Sequence, residues 1–174
     1  MSGRRTSSAA AAVALIAFSL VYPGKLNAEG PTPVCGAIHA EDSFWTLQGS
    51  PYVICTGDGG WAQTDPGVTL VIDAGVEVQG GALSGEILAD GAVFTNAALS
   101  GSLLLVDCTL NGTSVEAYSG VILRCHVLGA GIWLPGPVSV LNSTVDGAGI
   151  GINLSQPSSG KIWIYPFLFH PPST

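Results

Sequence analysis

Between Val68 and Ile152, short apolar runs alternate with small and polar residues, and the runs return every sixteen to eighteen positions. In the first of them Val68, Leu70, Ile72, Ala74, Val76 and Val78 hold the even positions, while Thr69, Asp73, Glu77 and Gln79 hold odd ones. A period of two belongs to a strand with one buried face, so the even positions are expected inside. One repeat is verbatim: Ala82-Leu83-Ser84-Gly85 comes back as Ala98-Leu99-Ser100-Gly101. Farther on, Cys108-Thr109-Leu110-Asn111-Gly112, Cys125-His126-Val127-Leu128-Gly129 and Ser143-Thr144-Val145-Asp146-Gly147 align position by position. Each is followed by a small pair and an aliphatic residue, Val115, Ile132 or Ile150. Such a period is shorter than the helical repeats, and Gly, Asn, Val and Leu at this density favour strands and turns. The expected fold is all-β, a right-handed parallel β-helix of about six coils. Coils of this kind stand only as a stack, because one coil alone does not offset its ordering entropy.

Around this repeat the chain divides into four parts. Residues 1–28 read as a secretory signal, with Arg4 and Arg5 at its head, an apolar run from Ala9 to Val21 and Leu26-Asn27-Ala28 at a cleavage-like end. That run is shorter than the roughly 20 residues a membrane span needs, so no membrane contact is expected after cleavage. Residues 29–66 are expected to form an N-terminal cap and the first strands, and 67–160 the coils. The aromatic stretch 161–174, with Trp163, Phe167 and Phe169, suits a cover for the last coil, the stub of a longer chain or an interface.

Charge narrows the partners. Only 10% of residues are charged, and the formal net charge is −7. Removing Arg4, Arg5 and Lys25 with the signal leaves Arg124 and Lys161 against twelve acids, so 2 − 12 = −10. Such a surface repels nucleic acid, and export points to a secreted, cell-surface or periplasmic location. In an oxidising compartment Cys35 and Cys55 are expected to pair, closing a loop whose constraint is worth about 3 kcal/mol. Cys108 and Cys125 hold equivalent places in adjacent repeats, close enough for a disulfide and equally suited to stand as stacked core thiols. With no Cys-x-x-Cys pair, and His126 alternating away from Cys125, neither a metal site nor a cofactor is expected.

Phe44-Trp45-Thr46-Leu47, then Pro51-Tyr52-Val53, then Pro66-Gly67-Val68-Thr69-Leu70-Val71-Ile72 resemble the opening of secreted right-handed parallel β-helix proteins with a pectate-lyase-like fold. The likeness covers Trp45 to Val78 well and the later coils by pattern; Ala74 stands where proline is common in that group. It implies polysaccharide lyase or glycoside hydrolase activity as one alternative. Calcium-assisted proton abstraction would need a carboxylate cluster and a base, and hydrolysis would need two or three convergent carboxylates. Asp73, Glu77, Glu86, Asp90 and Asp107 instead fall about one per coil at different phases, and Arg124 is the only Lys or Arg within the repeats. The expectation is therefore a non-catalytic secreted or cell-surface module, structural, adhesive or carbohydrate-binding, whose partner is a glycan or another surface protein. Trp61 and Trp133 are its candidate sugar platforms. Asn96, Asn111 and Asp146 recur near one turn with Leu128 interrupting, suggesting a partial asparagine ladder. Asn111, Asn142 and Asn153 also fit the glycosylation pattern.

Overall fold

The computed structural model describes residues 30–56, 60–129, 131–146, 149–152, 164–165 and 168–170, the last three segments through their backbone alone. The opening strands are β1 (Thr32–Val34), β2 (Gly36–Ile38), β3 (Phe44–Trp45), β4 (Tyr52–Ile54), β5 (Trp61–Thr64), β6 (Thr69–Ile72) and β7 (Glu77–Gln79). Then follow β8 (Ala82–Asp90), β9 (Val93–Thr95), β10 (Ala98–Val106), β11 (Thr109–Asn111), β12 (Ser114–Leu123) and β13 (His126–Leu128). The last are β14 (Gly131–Leu134), β15 (Val138–Leu141), β16 (Thr144–Asp146), β17 (Gly149–Ile152), β18 (Ile164–Tyr165) and β19 (Leu168–His170). Every pairing among them is parallel. The result is a parallel β-solenoid of about seven turns.

Each regular coil visits three rows of strands. The first face stacks β1-β4-β7-β9-β11-β13-β16-β19. A turn leads to the second face, built from β2, β5, the first halves of β8, β10 and β12, then β14 and β17. After a bend the chain forms the third face from β3, β6, the second halves of the same long strands, β15 and β18. The verbatim repeat is stacked residue on residue, Ala82 on Ala98 through Gly85 on Gly101. Thr109, His126 and Thr144 share one row, as do Val115, Ile132 and Ile150, which is the alignment expected from sequence. The expected opening segment already belongs to the stack, since β1 pairs with β4 and β4 with β7.

Like residues fill the core in rows. Val78, Phe94, Leu110, Val127 and Val145 lie behind the first face, each essentially unexposed. Leu83, Leu99, Val115 and Ile132 lie behind the second, and Ile72, Ala89, Leu105, Ile122 and Val140 behind the third. Parity fails at two places. Val68 is only half-buried and Ala74 is exposed, because the turn at Asp73–Gly75 swings Ala74 outward before Val76 re-enters the core.

Two of the three corners are fixed by left-handed backbone. Leaving the first face, Gly80, Asn96, Gly112 and Gly129 all have positive φ, and their amides reach the carbonyls of Thr95, Asn111, Leu128 and Asp146 one coil on. Asn96 therefore stands in this turn row, where Asn tolerates the left-handed conformation better than most residues. It does not stack with Asn111, whose row is Gln79, Thr95, Asn111, Leu128 and Asp146, so the partial ladder expected from Asn96, Asn111 and Asp146 does not form as read. Returning to the first face, Gly75, Gly91, Asp107, Arg124 and Asn142 form a second positive-φ row.

Cys35 and Cys55 are disulfide-bonded, with Cα atoms 5.3 Å apart, and staple β1–β2 to the end of β4. Cys108 and Cys125 are free and buried in the core. The expected signal segment 1–28 and the acceptor Asn153 lie outside the described residues. Of the aromatic tail, β18 and β19 continue the third and first faces by pairing with β15 and β16.

Candidate ligand-binding groove

The outward positions of the second face form two rows. One runs Trp61, Ala82, Ala98, Ser114, Gly131, and the other Gln63, Ser84, Ser100, Glu116, Trp133. Strand alternation produces this arrangement: Leu83, Leu99, Val115 and Ile132 point in, so their neighbours point out. Because the first of these rows is small between Trp61 and its end, the face sinks into a groove of about 570 Å³ lined by Ala82, Ala98, Ser114 and Gly131, with Glu116 and Trp133 from the second row. Trp61 stands one strand beyond Ala82. The two indoles, 45% and 43% exposed, are thus separated along the axis by four strand spacings, about 19 Å. Nothing in their local sequence places them on one face, since that follows only from the register.

Glu116 and Trp133 are direct neighbours across β12 and β14. The next strand sets Gly149 and Gly151 opposite Gly131 and Trp133, and glycine has no side chain to crowd the indole. Tyr118 carries no mark of a role in the sequence, yet it stands 51% exposed and its hydroxyl donates to Glu116 Oε1 at 2.8 Å. That bond pushes the Tyr118 phenol above its ordinary range, because an ionised Tyr118 would face the Glu116 carboxylate. Tyr118 is the extra residue of a β-bulge: Gly101 pairs with Ala117, and Ser102 already pairs with Ser119. The change from a sixteen- to a seventeen-residue repeat is the one trace of it in the sequence.

Of the carboxylates expected to decide for or against catalysis, three stand near one corner on successive coils: Asp73 and Asp90 follow the paired Ile72 and Ala89, and Asp107 follows Val106, the partner of Asp90. Asp73 is exposed at the turn before β7, Glu77 begins the first face, Glu86 shares a row with Thr69 and Ser102, and Asp90 pairs with Val106. Asp107 is engaged by Arg124, which holds it in a two-pronged grip, Nε to Oδ1 at 2.7 Å and Nη2 to Oδ2 at 2.6 Å. The Arg124 hydrogen bond holds the Asp107 carboxyl below its usual range. His126 contacts Asp146 at 3.1 Å on the first face, and His39 contacts Asp65 at 2.6 Å near the opening. No group of three or more His, Cys, Asp or Glu among the described residues is placed to hold a metal ion.

The two core thiols occupy the inner corner beside the second positive-φ row, in line with Val76, Ala92 and Ser143. Each donates to the carbonyl two residues back, Cys108 to Val106 at 3.3 Å and Cys125 to Leu123 at 3.4 Å. Ser143 does the same to Leu141 at 3.0 Å, and at the other corner Thr113 does so to Asn111 at 3.2 Å. The neighbouring Cys125 sulfur, with burial beside it, pushes the Cys108 thiol above its ordinary range. No family model matches the chain, and neither a curated protein nor a solved structure matches it.

Proposed function

We propose that the protein is a non-catalytic, secreted or cell-surface β-solenoid that binds carbohydrate along the second face. The observation that carries this reading is the pair of exposed tryptophans on one sheet face, bracketing a groove floored by small residues. A flat indole offers an apolar surface with a polar edge, which suits the faces of pyranose rings, and Ser84, Ser100 and Glu116 supply hydrogen-bonding groups beside it. The groove runs parallel to the stacking axis, so a linear chain fits it better than a compact ligand. The disulfide between Cys35 and Cys55 accords with an oxidising compartment. The engagement of Arg124 by Asp107 favours binding over turnover.

The test is a glycan array on residues 29–174, followed by calorimetry on the hits. Trp133→Ala is expected to lose at least roughly tenfold in affinity, as removal of a central aromatic anchor does. Trp61→Ala should lose affinity only for oligosaccharides long enough to span both indoles. In parallel, assays on pectin, alginate and neutral β-glucans, with and without calcium, are expected to show no turnover. Activity that disappears in Asp90→Asn or Asp107→Asn would sink the non-catalytic reading.

A further inference from the structure

The groove's chemistry is unbalanced in one direction. Trp133 and Glu116 stand side by side in register, so an aromatic face adjoins a carboxylate at the same end of the groove. Among the described residues, no Lys, Arg or His lines the groove. Arg124 is committed to Asp107 at the corner between the third and first faces, across the solenoid from this site. An anionic ligand such as a polyuronate would meet Glu116 with nothing to neutralise it, on a chain whose twelve acidic residues outnumber its five basic ones.

A second, independent feature concerns how Glu116 is held. The coil that carries it differs from the two before it by one inserted residue, and that residue is Tyr118, whose bulge puts its hydroxyl on Glu116 Oε1. Bulges re-aim side chains at functional positions. Here the result is a carboxylate with one oxygen engaged and the other free to accept, flanked by Trp133 on the adjacent strand and by Tyr118 on its own. A carboxylate between two aromatic residues is a setting for a cation: the indole attracts it through the ring quadrupole, and the carboxylate supplies the counter-charge.

We infer that the groove recognises a ligand-borne ammonium group, with Trp133 beneath it and Glu116, positioned by Tyr118, as its counter-charge. The glycans it takes are therefore polymers of amino sugar in their protonated form. This rests on the carbohydrate reading above, and the experiment separates the two. Residues 29–174 are titrated calorimetrically with a glucosamine hexamer, its fully N-acetylated counterpart, cellohexaose, hexagalacturonate and spermine, at a mildly acidic pH that keeps the sugar amine protonated.

The glucosamine hexamer should bind roughly tenfold more tightly than its acetylated form, the scale of a cation–π contact reinforced by a carboxylate. Hexagalacturonate should bind weakest. Glu116→Gln should abolish the preference, Tyr118→Phe should reduce it, and Trp133→Ala should weaken every ligand. All three positions are surface-facing, and thermal melts verify that the variants fold. Equal affinity for the acetylated and free hexamers, or a preference that survives Glu116→Gln, overturns the ammonium assignment and leaves the carbohydrate reading standing. Spermine binding as tightly as the glucosamine hexamer, with cellohexaose inert, overturns the carbohydrate reading instead. No binding by any of the five overturns both.

Discussion

Cys108 and Cys125 show how a single position is specified in this fold. The inner corner needs a small side chain that also satisfies the carbonyl two residues back, and sulfur, the Ser143 hydroxyl and the Thr113 hydroxyl all meet that need. Cys108→Ser and Cys125→Ser are therefore expected to change stability by less than about 1.5 kcal/mol, whereas Leu at either place overpacks the corner at a cost of about 1–3 kcal/mol. Both thiols should resist an aromatic disulfide reagent in the folded protein and react once it is unfolded; rapid labelling of the native chain would contradict their burial. The exposed ion pairs make weaker, pH-dependent contributions. Asp107 is held low by Arg124, so its share of stability is present above the ordinary carboxylate range and is lost as pH falls through the lowered value. His39, raised above 6.5 by its bond to Asp65, contributes fully below that value and loses its share as pH rises through the raised one. Melting temperatures of Arg124→Gln and Asp65→Asn against wild type across pH should converge in acid for the first and in mild alkali for the second. A gap that does not vary with pH would refute these assignments.

Among elements, the long strands β8, β10 and β12 bend at Gly85, Gly101 and Gly120, whose φ angles are 124°, 131° and 118°. A Cβ on Gly101 would run into the carbonyl of Gly85 in the coil before, and that obstacle is rigid backbone. Gly101→Ala is expected to destabilise by roughly 2 kcal/mol or more, read by chemical denaturation, and a neutral result would mean the bend is softer than its stacking implies. Alternation, the verbatim Ala-Leu-Ser-Gly repeat and the aligned Cys108, Cys125 and Ser143 make the register of the middle coils legible, because a period of two tied to a fixed coil length leaves each inward residue one stacking partner. Asn96 reads one position out of place because its turn uses left-handed backbone, which a hydrophobic pattern does not reveal. Tyr118 is hidden for a related reason: one inserted residue shifts a repeat without saying which residue is extra. Deleting Tyr118 should restore a sixteen-residue coil and keep the solenoid intact by circular dichroism, while releasing Glu116.

Across the whole molecule, the groove between Trp61 and Trp133 is a product of the stack and belongs to no single coil. Trp61 lies in β5, Glu116 in β12 and Trp133 in β14, far apart in sequence and brought onto one face only when the coils pile in register. In the sequence the two tryptophans stand as separate platforms; their shared face emerges only once the bends are located. From β7 onward, the coils also lengthen at one place. Leu99 to Val115 spans sixteen residues, Leu103 to Gly120 seventeen, Gly120 to Val138 eighteen and Val140 to Ile164 twenty-four, and each increase falls between the second and third faces. The other two corners are bound coil to coil by the amides of left-handed residues such as Asn96 and Arg124, which donate to carbonyls one coil on. Growth in this scaffold is thus channelled to the edge that borders the groove. An engineer seeking a new specificity, or a lineage drifting toward one, would find two sides of the rod bound coil to coil and one margin where residues have been added, lying beside the groove.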